Sequence, residues 1–250
     1  MNNTASALRA AVSLAAFSLI ALVAMGVIYF LFFGGSGGAT QVSAIPSPTV
    51  IIDAGHGGMD GGCVSDGIKG TGAGDVSTGV GRILEKDCNL QIARVLEALF
   101  RVSGYNVVMT RSSDVMLDGE GLAGSAKMRD LRARLDIARE HPDALFISVH
   151  CNKFPSSDCK GLQVYYSKNH EYSSEAARAV QESAVSLLQP DNKRLPKAAD
   201  SSIFLLHRAT QPAILIECGF LSNPSEAELL SDSDYQKKLA LAILLPLVAV

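Results

Sequence analysis

Three short apolar runs rich in branched side chains constrain this chain more than anything else in it: Thr49-Val-Ile-Ile52, Ala144-Leu-Phe-Ile-Ser-Val149 and Ala213-Ile-Leu-Ile216. Runs that do not alternate with polar residues suit strands buried on both faces, the habit of parallel strands covered by helices. Helical patterns fall between them. Leu84, Leu90, Ile92, Val95, Leu96 and Leu99 recur at near-helical spacing, from a start at Glu85 or Asp87 to a stop at Gly104. Lys127 to Glu140 repeats that period with Met128, Leu131, Leu135 and Ala138 inward, and Ser174 to Leu188 makes a helix with Ser173 or Ser174 as cap. A last helix follows Ser231-Asp-Ser-Asp234, and Asn106 to Thr110 and Gly161 to Tyr166 read as further strands. Strands alternating with helices predict an α/β fold: a single domain with a mostly parallel central sheet flanked by helices on both faces.

Each of the three runs leads into a residue able to bind a metal or move a proton. Ile52 leads to His56, Val149 to His150 and Ile216 to Glu217. Parallel strands gather all three at one sheet edge, where open α/β sheets bind their ligands. Glu85, opening a helix, reaches the same edge. Two histidines and a carboxylate are the ligand set of a catalytic zinc, leaving a fourth position for water, and a second carboxylate beside that water serves as general base. Taken singly, each residue has a plainer reading: a hydrogen-bonded strand-end histidine, or a helix-start charge favoured by the dipole. Their joint placement favours the site. His141, His170 and His207 read as surface or structural residues. The glycines around His56 are not a nucleotide cradle, because GHGGMDGG lacks the GxGxxG spacing and no helix follows directly.

Ala10 to Phe33 is uncharged and long enough to cross a bilayer as a helix. Arg9 and the amino terminus flank it on one side, and Gly34 to Pro48 carries no charge, so the N-terminus stays inside and the body goes out. An anchor is favoured over a cleaved signal, although Val42-Ser43-Ala44 would serve as a cleavage site. The organisation expected is therefore 1–34 as a transmembrane or signal segment, 35–48 as a flexible linker and 49–250 as the catalytic domain, working outside the cytoplasm. With 22 Lys and Arg against 25 Asp and Glu the net charge is -3, which argues against a nucleic-acid binder relying on bulk electrostatics. Five cysteines without a CxxC pair fit neither a disulfide framework nor a four-cysteine zinc site, and a bridge such as Cys151 to Cys159 has no support. Cys63 to Arg82 reads as a glycine-rich loop, and Arg111 to Ala126 as a polar loop long enough for a lid.

The segments IIDAGHGGMDGG, LEKDCNLQIA, LFISVHCNK and ILIECGFLSNPSEAELL resemble, in the same order, the zinc-dependent N-acetylmuramoyl-L-alanine amidases. The similarity runs from Thr49 to about Ala240 and is nearest to the spore-cortex, germination-specific members. It implies His56, Glu85 and His150 as Zn2+ ligands and Glu217 as catalytic acid/base. The implied substrate is a peptidoglycan glycan strand with its stem peptide, cut between N-acetylmuramic acid and L-alanine, in spore-cortex maturation with muramic-lactam formation. An extracytoplasmic zinc peptidase and a vegetative autolysin are the alternatives. The resemblance leaves room for an activating partner protein that orders the zinc site, since Glu85 lies beyond a glycine loop. The family more often has proline at Ala54 and other residues at Cys151 and Cys218, none of them a ligand. Arg132 or Arg134 is a candidate for stem-peptide carboxylates, and Asn152, Ser222 and Asn223 for amide groups. The glycines after His56 are expected to give clearance to the glycan strand.

Overall fold

The computed structural model describes residues 47–248, except 66–67, 70–73, 76–79, 118–120 and 122. The expected membrane segment 1–34 and most of the linker 35–48 lie outside the described residues. Among the described residues, no helix is long and apolar enough to cross a membrane.

Six strands form the central sheet: β1 (Thr49–Ala54), β5 (Asn106–Met109), β6 (Leu145–Asn152), β7 (Gln163–Tyr166), β8 (Lys197–Ala198) and β9 (Ala213–Phe220), in the order β5-β1-β6-β9-β7-β8. β5, β1, β6 and β9 are mutually parallel, and β7 runs antiparallel to β9 with β8 parallel to β7. The mostly parallel sheet is as expected, with two short strands reversed at one edge. The stretch read as a glycine-rich loop carries β2 (Ile68–Lys69), β3 (Gly74–Asp75) and β4 (Val80–Gly81), a small antiparallel sheet of its own.

Helices cover both faces because side chains of a strand alternate in direction. Val50, Ile52 and Ala54 of β1, Ile147, Val149 and Cys151 of β6, and Ile214, Ile216 and Cys218 of β9 join one core cluster. Helices α1 (Glu85–Val102), α3 (Tyr172–Leu187), α5 (Pro224–Ser231) and α6 (Ser233–Val248) supply its other half, through residues such as Ile92, Leu96, Val180, Leu230 and Ile243. Ile51, Phe146 and Leu215 point the other way, onto α2 (Ala126–Arg139) and α4 (Phe204–Arg208). The two layers differ in content. The first is a broad apolar core, whereas the second becomes polar toward the C-terminal ends of the strands.

Local details depart from the sequence reading where a tertiary contact outweighs propensity. Ser173 does not cap α3: its buried hydroxyl accepts from the Ala213 amide at 3.0 Å and ties that helix to the start of β9. Phe204–Arg208, which the sequence pattern does not mark, forms the short helix α4 with Ile203 at its N-cap. The extra helix α5 begins at Pro224, with Asn223 as its N-cap. All five cysteines are free thiols. Cys151 and Cys218 lie on the face opposite His150 and Glu217, as strand alternation requires, and the adjoining Cys88 thiol together with burial pushes the Cys151 thiol pKa up.

Candidate active site

The register of the parallel strands assembles the site. Val149 pairs with both Ala54 and Ile216, so the next residues along, Gly55, His150 and Glu217, come side by side at the C-terminal edge. Gly55 extends the ladder by donating its N–H to the Val149 carbonyl at 3.1 Å. His56 then turns with φ +61°, a left-handed backbone that a residue with a Cβ adopts only when its surroundings impose it.

His56, Glu85 and His150 each direct one ligand atom to a common point, the atoms lying within 4.8 Å of one another. Glu85 Oε1 is 3.2 Å from His56 Nε2 and 3.0 Å from His150 Nδ1, and the two imidazoles meet edge-on with centroids 5.0 Å apart. The carboxylate is well anchored: Oε2 accepts from the Cys63 amide at 2.8 Å, and Oε1 from the Cys151 amide and Asn89 Nδ2 at 3.3 and 3.4 Å. The glycine-rich stretch before it therefore does not leave Glu85 loose. Burial works to raise its pKa, but the two imidazoles hold the carboxyl far below the usual range. Burial likewise works to lower His56, and the Glu85 and Asp60 carboxylates beside it raise it instead. Asp60 Oδ2 stands 3.0 Å behind His56 Nδ1, the position of a carboxylate that orients an imidazole whose other nitrogen is a ligand.

Glu217 stands alone. Its Oε2 is buried without a hydrogen-bond partner, and burial, aided by the Glu85 charge and opposed by His150, pushes its pKa up to about 7. A carboxyl that titrates near neutrality suits proton transfer in both directions. It lines a cleft of about 220 Å³ together with His56 and His150. The lining also includes charged Asp60 and Lys127 and apolar Ile203, Phe204, Leu205 and Leu215.

Such a cleft, with a convergent triad able to hold a metal ion and a carboxyl held near neutrality, fits hydrolysis of an amide. The family model for N-acetylmuramoyl-L-alanine amidase matches residues 50–247. The chain belongs to that amidase family. The germination-specific N-acetylmuramoyl-L-alanine amidase of Bacillus subtilis is 35% identical over 196 residues, spanning 78% of this chain and 76% of that protein. The CwlD amidase of Clostridioides difficile, solved in complex with the GerS lipoprotein, is 36% identical with a TM-score of 0.70, covering 80% of this chain and 96% of that one. A second amidase from Clostridium difficile 630 is 29% identical with a TM-score of 0.64, covering 81% and 96%.

The amidase fold corrects several sequence-based assignments. Arg134 is not available to substrate. It is 1% exposed, and all its donors are spent: Nε and Nη2 on Asp130, Nη1 on Asp53 and the Ala54 carbonyl, and Nη2 again on the His56 carbonyl. Asn223 caps α5 by accepting from Glu226 N at 3.1 Å and donates to Ser157 O at 2.8 Å. Ser222 accepts from Phe154 N. Asn152 ends β6 opposite Phe220 and does not line the cleft. The glycines serve the protein's own side chains rather than a glycan. A Cβ on Gly55 would sit 2.3 Å from the His150 ring, one on Gly62 2.5 Å from Glu85 Oε2, and one on Gly57 2.2 Å from the Val115 carbonyl. The described part of the 111–126 loop is correspondingly packed down, with Met116 against Gly58 and Asp114 accepting from Gly58 N and Lys86 Nζ.

The residues the sequence reading passed over are Asp53, Arg111, Asp130, Asn89 and Asp60. Arg111 and Arg134 together cap three successive carbonyls, Ala54, Gly55 and His56, and Asn89 adds a bond to Gly55. Only Asp60, four residues past His56, and Asn89, four past Glu85, carried a signal in their spacing. Two outcomes follow for the amidase. Arg134→Met strands two buried carboxylates, so urea unfolding should show a loss of about 3–5 kcal/mol, and a loss under about 1 kcal/mol would contradict the frame. Gly55→Ala should weaken divalent-metal binding at least about tenfold in a chelator competition. Gly61→Ala, whose added Cβ meets only Leu84 Cδ2 at 4.0 Å, should leave binding intact.

Proposed function

We propose that the chain is a zinc-dependent amidase in which His56, Glu85 and His150 hold the metal and Glu217 is the acid/base. The observation that carries this is the spacing of the ligand atoms. Tetrahedral zinc at about 2.0–2.1 Å from its ligands separates them by about 3.3 Å, close to the 3.0 and 3.2 Å at which Glu85 Oε1 meets the imidazoles. Asp60 Oδ2, 3.0 Å from His56 Nδ1, is placed where the carboxylate of a carboxylate–histidine–metal relay would stand to orient the imidazole.

Zinc bound there would polarise the scissile carbonyl and lower the pKa of a coordinated water. The chain's own residues do the rest. The cleft orients the amide between the lactyl group of N-acetylmuramic acid and L-alanine, with apolar Ile203, Phe204 and Leu215 beside it. Glu217 takes a proton from the attacking water and hands it to the departing alanine amine. Burial, which leaves its Oε2 unpartnered, keeps the carboxyl basic enough to do both.

The wider reading rests on similarity. Likeness to the germination-specific amidase of Bacillus subtilis supports a role in spore-cortex maturation. That the Clostridioides difficile amidase was solved in complex with the GerS lipoprotein supports a partner protein for this chain, which would act by ordering the zinc site. The apolar run from Ala10 to Phe33 would tether the catalytic domain, 49–250, to that membrane.

Glu217→Gln should retain zinc and lose roughly a hundredfold or more in turnover. Near-normal release of intact stem peptide from muramyl glycan by this variant would sink the assignment. The pH profile gives a second test. A general base works only deprotonated, so kcat/KM should rise with pH to a plateau, with a midpoint below about 7 because the bound cation stabilises the carboxylate. Glu217→Gln should lack that limb.

A further inference from the structure

Helix α2 carries two adjacent stripes. Lys127, Asp130, Leu131 and Arg134 line the cleft, whereas Arg132, Leu135, Asp136 and Arg139, spaced three and four apart, line a separate groove of about 290 Å³ together with Phe204 and Arg208 of α4. Phe204 belongs to both, so the groove opens beside the cleft. Three arginines line it against one carboxylate. Arg139 Nη1 is paired with Asp136 at 2.9 Å, and Arg132 Nη1 donates to the Ala123 carbonyl, leaving other donors on both. The Arg208 guanidinium has no hydrogen bond or ion pair among the described residues. The amidase reaction uses none of these groups.

We propose that this groove is a subsite for the carboxylate end of the stem peptide. The inference rests on the cleft being the place of cleavage. From Leu131 to Arg139 the helix advances about 12 Å, roughly the reach of three to four extended residues beyond a scissile amide at about 3.3–3.6 Å each. The glycan side of the substrate offers no comparable negative charge, whereas an uncrosslinked stem peptide ends in a carboxylate. Guanidinium groups bind carboxylates in a planar, two-pronged way. The groove would thus favour free stem peptides over crosslinked or amidated ones.

The test uses the released peptide, which contains no muramoyl amide, so its result stands whether or not Glu217 is the acid/base. Titration of the full-length protein with a stem tripeptide and with its C-terminal amide should show the acid bound roughly five- to tenfold more tightly, the scale of two exposed charge pairs. In Arg132→Gln/Arg208→Gln that preference should fall to about one. A wild type without acid preference, or a double variant that keeps it, overturns the proposal. So does a glycerol-phosphate oligomer whose binding needs both arginines while the two peptides bind alike, since the groove would then recognise an anionic polymer.

Discussion

A single buried guanidinium holds the site in shape. Arg134 reaches from α2 across the ends of the strands, pairs with both Asp53 and Asp130, and takes up the carbonyls of Ala54 and His56. Taking three charges out of water is costly, and it is tolerable here because every donor and most acceptors are matched. Asp53 also accepts from Thr110 and Ser148, and its carboxyl, which burial would raise, is drawn down by Arg134. With Arg111 on the neighbouring carbonyls, the chain after β1 is held in a backbone that His56 would not otherwise adopt. The imidazole direction is therefore imposed by cations that never touch a ligand atom.

The second constraint is the registry of β1, β6 and β9. Aligning Ala54, Val149 and Ile216 brings His150 and Glu217 into direct lateral contact on the α2 face. Alternation sends Cys151 and Cys218 to the other face, where they pack as small apolar groups. A slip of one residue would exchange the two sets, placing thiols in the cleft and charges in the core. The unrelieved apolarity of the strands on that opposite face is what forbids such a slip.

The cleft and the neighbouring groove are both lined by one helix. The stripe of α2 that carries Arg134 holds the buried Asp130–Arg134 pair, and the neighbouring stripe sets half-buried Arg132 and exposed Arg139 around buried Leu135. Phe204, half-buried between them, is the divider. Charge that stabilises the fold and charge left facing solvent thus sit on one fourteen-residue helix, separated by the angle between successive side chains.

By itself the sequence determined the strand–helix alternation, the parallel sheet, and the gathering of His56, Glu85, His150 and Glu217 at one edge. Apolar runs and chain order carry that information locally, because buried parallel strands must end at the same side. Asp60 and Asn89 were legible only as spacings from a histidine and a glutamate. What the tertiary structure alone decided is which charged residues are spent on partners within the fold. Arg134 and Asn223 look available in sequence yet are consumed by partners 78 and 66 residues away. The glycines around His56 look like open space and are filled by His150, Glu85 and Val115. Such assignments depend on which distant donor meets which acceptor, and hydrogen-bond pairing across the fold has no periodicity for a sequence to display.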